Sequence, residues 1–226
     1  MSLTALLRRT PVRSIEEAIA VMQAIDQSLP DTDGVKWFNR LYLRVTVAVG
    51  AEVANATFLD AAFLTTLDIA FANLYFSALT AGDASVAAAP SSWRPLLQAR
   101  HQPGIARIQF ALAGMNAHIN RDLPDGIVQS FDALGGDPIT DDVREKDFES
   151  VNDLLERVEE EVKTEFTAGL VGKIDRRAVR WTMPWRCGRC VRRAVLRGRM
   201  RRCCGDYAAS HACAIASSSG STAWSA

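Results

Sequence analysis

The first 175 residues contain no cysteine, so this stretch rests on neither disulfides nor thiolate metal sites. Histidine is scarce: His101, His118 and His211 are the only three, and no HExxH pair exists. Ser-His-Asp spacing, a Walker loop and a dinucleotide-binding glycine pattern are also missing, which closes the familiar routes to a named enzyme class. No apolar run approaches the roughly 20 residues that a membrane span needs, and MSLTALLRRTPVR is too short in apolar residues for a secretory signal. A cytoplasmic protein without a membrane partner is the expectation. Period-two alternation and solenoid repeats are absent as well, so neither a sheet nor a repeat array is expected.

What is present is a chain of 226 residues with 48% apolar content, enough to bury one core. Its zero net charge hides a split. Arg176 to Arg202 holds 11 of the 26 basic residues, and the only acid after Asp175 is Asp206. Residues 1–175 therefore carry 15 basic and 25 acidic side chains, near −10, against a C-terminal stretch near +10. Three parts follow: an N-terminal arm over 1–13, a helical domain over 14–175, and a basic, Cys-rich tail over 176–226.

Helical spacing dominates the middle part. Ser14 and Glu17 form a capping box before Ile15, Ile19, Met22, Ile25 and Leu29. Pro30, Asp31, Asp33 and Gly34 end that helix, and Val35, Phe38, Leu41, Tyr42, Val45 and Val49 mark the next. Thr57 to Leu79 is apolar nearly all round, a central core helix. Gly82 to Pro95 reads as a loop with Trp93 folded back onto the body. Gly104 to Arg121 resumes a helix that Leu123 and Pro124 should stop, with Asp125 or Asp132 capping short turns before a Gly135, Gly136, Pro138 loop. Asp147 or Ser150 should open a last helix with Val151, Leu154, Leu155, Val158, Val162 and Phe166 inward. Its other face, Glu156, Glu159, Glu160, Glu161 and Glu165, reads as a solvated surface. The fold class expected is all-α, a single bundle of about five to seven helices with an irregular or disordered tail.

The densest polar cluster in this apolar body is FALAGMNAHINRDLP, Phe110 to Pro124. Asn116 and Asn120 lie one turn apart, as do His118 and Asp122, with Gly114 allowing close helix approach. Buried, such groups need partners, because each unpaired one costs about 1–3 kcal/mol. Asp68 and Asn73 on the core helix, and Asn39 and Tyr42 on the helix before it, are available. One reading makes this a polar pocket in which His118 is a base or metal ligand, oriented by Asp68 or Asp122. The other makes it an internal network that locks helices together, with Asp122 paired to Arg121 or Arg100. A divalent metal is a possible cofactor, although helical di-metal sites use Glu with Glu-x-x-His pairs and none exists in this sequence. Tyr42, Phe71, Tyr75 and Phe76 are candidates for an apolar pocket wall or for plain core.

The tail admits three readings. CGRC at Cys187 to Cys190, then Cys203, Cys204, His211 and Cys213 amid arginines, invites a zinc knuckle on nucleic acid, but a second CxxC is missing. Disorder is the second. The third is a change of reading frame, since Arg, Cys, Trp, Ala and Ser enrichment is what a GC-rich gene yields out of frame. Beginning each codon on the third base of the old one, with codons selected from the allowed sets under guidance of the family pattern below, turns WTMPWRCGRC into DDAVAMWSV and RGRMRRCCG into AWTNAEVLW. Both pieces have helical character in one shifted frame, so this third reading is preferred, and the acidic body argues against nucleic acid as a partner.

The strings WFNRLYLRVT, FLDAAFLTTLDIAFANLYFSAL, WRPLLQAR, GIARIQFALAGMNAHINRDLP and VNDLL resemble a bacterial family catalogued as domain of unknown function 5995, over about Ser14 to Asp175. The resemblance implies an all-α fold and no particular activity. It places the family motif on Asn116, His118, Asn120, Arg121 and Asp122, with Asp68, Asn73 and Tyr75 from the core helix. The functional expectation is a small-molecule enzyme, such as a metal-assisted hydrolase, with His118, Asp122 and Asp68 catalytic and Asn116, Asn120, Asn73, Tyr42 and Tyr75 binding substrate. The alternative is a non-catalytic binding or scaffold module.

Overall fold

The computed structural model describes residues 3–136 and 141–167. In chain order the described elements are α1 (Leu3–Leu7), α2 (Ile15–Ser28), α3 (Gly34–Ala54), α4 (Ala61–Ala84), a 3-10 turn (Val86–Ala88), α5 (Arg94–Ala99), α6 (Arg107–Ala117), a π-helical turn (His118–Asp122), α7 (Leu123–Leu134) and α8 (Asp142–Thr167). No strand occurs among the described residues. Because α6, the π turn and α7 run on without a break, these make seven helical rods, and the all-α bundle is as expected. Every expectation for the tail over 176–226 lies outside the described residues, as do those for the side chains of Glu156, Glu159, Glu160, Glu161, Val162, Glu165 and Phe166.

Side-chain caps fix where the helices begin, since the first N–H groups of a helix have no internal partner. Ser14 Oγ accepts from the Glu17 N–H at 3.2 Å, but the Glu17 carboxylate reaches the Arg13 N–H at 2.7 Å, so the expected box is displaced by one residue. Asp33 caps α3 by accepting from the Val35 N–H at 3.0 Å, and Arg100 pairs with the same carboxylate. Asp60 caps α4, which therefore starts at Ala61 and not at Thr57. Asp147 does not open the last helix. It is buried, and its two oxygens accept from the N–H groups of Leu59 (2.8 Å) and Asp60 (2.6 Å), while α8 begins earlier behind Asp141.

The largest departure from expectation lies at Pro124. A proline inside an α-helix clashes with the carbonyl four residues back and removes a donor. Between His118 and Asp122 the backbone widens instead into a π turn, with the Leu123 N–H bonding His118 O, and Pro124 then sits in the first turn of α7. The helix does not stop, and Asp125 and Asp132 fall inside α7 rather than capping separate turns. Gly135, at φ +75°, ends α7 in a conformation other residues avoid.

The core runs through all of these elements. Trp37, Trp93, Tyr75, Phe38 and Phe76 are fully buried, and Trp93 does fold back onto the body. Leu3, Leu6, Leu7 and Val12 join the same cluster, so the described part of the N-terminal arm packs as part of the bundle. By length and composition α4 could cross a bilayer, a feature that counting uninterrupted apolar runs overlooked, and 56% of its most apolar window is buried inside the bundle. Where α3 and α6 cross, a Cβ on Gly114 would stand 2.3 Å from Phe38 Cγ, so glycine is what lets the two backbones approach. That approach presses Phe38 toward the π turn.

Candidate functional site

The π turn delivers His118 to the centre of the bundle. Its ring stacks on Phe71 of α4, centroids 3.5 Å apart and 4° from parallel, and meets the edge of Tyr42 of α3 at 4.5 Å. One turn on, fully buried Asp122 accepts from His118 Nδ1 at 2.8 Å. Asp122 also accepts from Trp93 Nε1 at 3.0 Å and from Arg121, so both of its oxygens are engaged. Because carboxylate oxygens accept, Nδ1 carries the proton, and His118 Nε2 is left with a bare lone pair. Burial lowers the His118 pKa, with Arg121 adding to the effect and the bond to Asp122 opposing it, so the ring is a neutral base at pH 7.

His118 lines a cavity of about 70 Å³, partly open to solvent, between α3, α4, the α6–α7 rod and α8. Its lining residues are apolar except for Tyr42, Asp68 and His118. Phe38, Leu67, Phe71 and Met115 form much of the wall, and Phe148, Val151 and Leu155 of α8 close one side. Asp68 Oδ2, His118 Nε2 and the Tyr42 hydroxyl are all buried without a hydrogen-bond partner among the described residues. Burial alone raises the Asp68 pKa to about 7. Burial first, then the nearby charge of Asp68, pushes the Tyr42 phenol well above its ordinary value. The Thr46 hydroxyl lies close enough to oppose that rise, yet neither hydroxyl makes a hydrogen bond.

Three of the expected site residues, His118, Asp68 and Tyr42, thus meet in one cavity, with Asp122 behind His118. The others do not line it. Asn120 donates to Asn116 and the two amides serve each other. Asn73 spends both ends of its amide on Val12, donating to the carbonyl at 2.9 Å and accepting from the N–H at 2.8 Å, and so ties down the N-terminal arm. The Tyr75 hydroxyl donates to Asn39 at 3.2 Å, whose amide in turn donates to Met22 O at 2.9 Å. These contacts tie elements of the bundle together, and none of Asn116, Asn120, Asn73 and Tyr75, expected beside His118 as substrate-binding residues, lines this pocket. Arg100, offered as a partner for Asp122, pairs with Asp33. Of the aromatic candidates Phe71 and Tyr42 face the pocket, whereas Tyr75 and Phe76 are core.

Sequence reasoning missed Trp93 as the donor that holds Asp122, and it missed the α8 wall. The only early signal for Trp93 was the WRPLLQAR string that follows a loop. As for a metal, no group of three or more His, Cys, Asp or Glu that could hold an ion occurs among the described residues. The pocket itself offers Asp68 and His118, two donors where a site usually needs three or four. The donor set does not fit the divalent metal considered from sequence.

No curated protein and no solved structure matches the chain. Residues 15–194 match a family described as a family of unknown function, DUF5995, starting where the resemblance was read and running past Asp175. That span covers most of the 226 residues, and it carries the His118 motif, the Asp68 helix and the Trp93 loop together. The chain belongs to the DUF5995 family.

Proposed function

We propose that this protein is a small-molecule enzyme whose pocket performs general acid–base chemistry without a metal. His118 takes a proton at Nε2, oriented by Asp122. Asp68, with a pKa of about 7, gives or receives one at neutral pH. The carrying observation is that three buried polar atoms with no partner sit on residues of one otherwise apolar pocket. Leaving each unpaired costs about 1–3 kcal/mol, a cost that a bound ligand or water would relieve. Water held between Nε2 and Asp68 would be the nucleophile in a hydrolysis, with no covalent enzyme intermediate, since the lining residues include no Ser, Thr, Cys or Lys. Cytoplasmic location and a small-molecule partner, with neither membrane nor nucleic acid, belong to the same proposal.

One observation favours the scaffold alternative: Asp122 joins Trp93, Arg121 and His118, so part of the motif locks elements together whatever the pocket does. Thermal melting with 1-octanol as a neutral apolar probe separates the two. The pocket reading expects a melting temperature that climbs with octanol concentration, and a His118→Ala variant that stays folded but hydrolyses no ester or amide that the wild type turns over. An unresponsive melting temperature, with His118→Ala only less stable, supports the scaffold.

We also infer that the C-terminal segment is translated out of frame from about Asp175. The shifted-frame helices and the cysteine and arginine enrichment support this, while the family match through Ala194 pulls the other way for residues 176–194. Sequencing the gene across codons 174 to 206 in an independent isolate decides it, and a clean reading in the present frame refutes it.

A further inference from the structure

Within the pocket reading just proposed, on which this inference rests, the chemistry of the three polar groups is lopsided. Asp68 and His118 Nε2 are acceptors, Tyr42 brings the only side-chain donor, and no lining residue is cationic. The nearby arginines are already committed: Arg121 to Asp122, Arg100 to Asp33, Arg144 to Asp60. Asp68 is therefore a buried acid with no counter-ion, which proteins seldom keep unless something supplies the charge. The same pocket is lined by the rings of Phe38, Tyr42 and Phe71, and aromatic faces attract a cation, although one face of Phe71 is covered by His118.

We propose that the ligand of this pocket is an apolar amine, held as its ammonium ion by Asp68, by His118 Nε2 and by the surrounding aromatic rings, with its hydrocarbon part in the apolar remainder. An ammonium group brings three donors to a site short of donors, and a positive charge to an unpaired carboxylate. A carboxylic acid would set like charge against Asp68 and offer nothing to Nε2. An alcohol can satisfy one acceptor only. The cavity of about 70 Å³, open on one side, limits the ligand to a small or slender one.

The pH dependence follows from the same groups. Tyr42 on α3 and His118 in the π turn are the titratable groups facing Asp68, and the pocket walls from α6, α7 and α8 carry none. Below a pKa of about 7 the empty pocket holds Asp68 neutral, so ammonium binding weakens about tenfold per pH unit as pH falls below that value. Protonation of His118 at lower pH acts in the same direction.

The test is titration calorimetry of the full-length chain with octylamine, 1-octanol and octanoate at pH 8, on the wild type and on Asp68→Asn. Octylamine should bind at least about thirtyfold more tightly than either other probe, the low end of what a buried charge pair is worth on truncation. Asp68→Asn should erase that preference while still binding octanol, which shows that the variant is folded. Octylamine affinity should fall about fivefold from pH 7 to pH 6 while octanol affinity holds. If octanol or octanoate binds as well as octylamine, or if Asp68→Asn keeps the preference, the ammonium assignment is overturned while the pocket stands. If none of the three binds, the pocket reading itself fails.

Discussion

Replacing Asp68 by asparagine should stabilise the protein at alkaline pH and leave it no more stable, or less stable, in acid. The carboxyl is buried, no cation pairs with it, and its pKa rises from 3.8 to about 7 through burial alone. Ionising it inside the fold, relative to the unfolded chain, therefore costs ~4 kcal/mol. The sign follows from proton counting. Between pH 4 and 7 the folded state holds a proton that the unfolded state has released, so wild-type stability falls as pH rises through this window and is level above it. Asparagine never ionises and escapes the loss, but its amide still lacks partners, a cost of about 1–3 kcal/mol. The net gain at pH 8 is ~1–3 kcal/mol, shrinking toward zero or below near pH 4. Urea unfolding of both proteins at pH 4.5 and pH 8, with equal m-values, measures the difference, and every other titrating group cancels in it. A variant less stable than wild type at pH 8, or a difference that does not change with pH, would show that Asp68 has a partner in the fold and is not an unpaired buried acid.

Three further substitutions separate support from chemistry. Trp93→Phe removes the indole donor to Asp122 and should cost about 1–3 kcal/mol in urea unfolding while octanol binding persists. Loss of octanol binding would mean that Trp93 holds the pocket open. Asn73→Ala strands the Val12 N–H and carbonyl; it should destabilise by about 1–3 kcal/mol and make the arm near Val12 easier to cut with protease, with no effect on ligand affinity. A change in affinity would return Asn73 to the site. Gly114→Ala drives a methyl group into Phe38 and should cost about 1–3 kcal/mol, together with weaker octanol binding as Phe38 moves into the pocket. Unaltered stability would mean that the α3–α6 crossing is looser than the 2.3 Å approach implies.

Local pattern carried the parts of this molecule that depend on one helix at a time. The i, i+4 spacing of His118 and Asp122 foretold their contact, and an acid in the middle of a mostly apolar helix marked Asp68. Asn73 falls outside the pocket by helix arithmetic: five residues from Asp68, it lies about 140° around α4, where it meets Val12. Tyr75 is on the same stripe as Asp68, but seven residues carry it ~10 Å further along, past Phe71, to Asn39. Pro124 was read as a stop because the rule assumes α geometry, and the π turn changes the geometry. Trp93 and the α8 wall were illegible for a different reason. Their contacts with Asp122 and the pocket cross 29 residues or more of chain, and no periodicity reports where a loop returns.

The distribution of satisfied and unsatisfied groups argues for a site more strongly than any single residue does. Elsewhere the bundle provides for most of what it buries: Asp33 has Arg100, Lys36 has Leu29 O, Asn39 has Met22 O, Ser130 has Gly126 O, and Asp147 has two backbone donors, while the Thr46 and Ser92 hydroxyls are the exceptions among the described residues. A fold this consistent could have filled positions 42, 68 and 118 with Phe, Leu and Leu and avoided the cost of burial at each. Instead Tyr42, Asp68 and His118 lack partners on the wall of one cavity, beside a π turn, which is itself a less favourable backbone geometry that recurs at functional sites. Three of the five buried side-chain atoms without a partner among the described residues fall on this one cavity, and both of the strongly polar ones, the carboxylate and the imidazole, are among them. A neighbour of the cavity, Trp93, together with Arg121, meanwhile holds Asp122 so that His118 presents its lone pair rather than its proton. The Nδ1–H bond serves a helix lock and a base alike; what a lock leaves unused is the buried Nε2 lone pair on the cavity wall, which a base that receives a proton from something in the pocket requires.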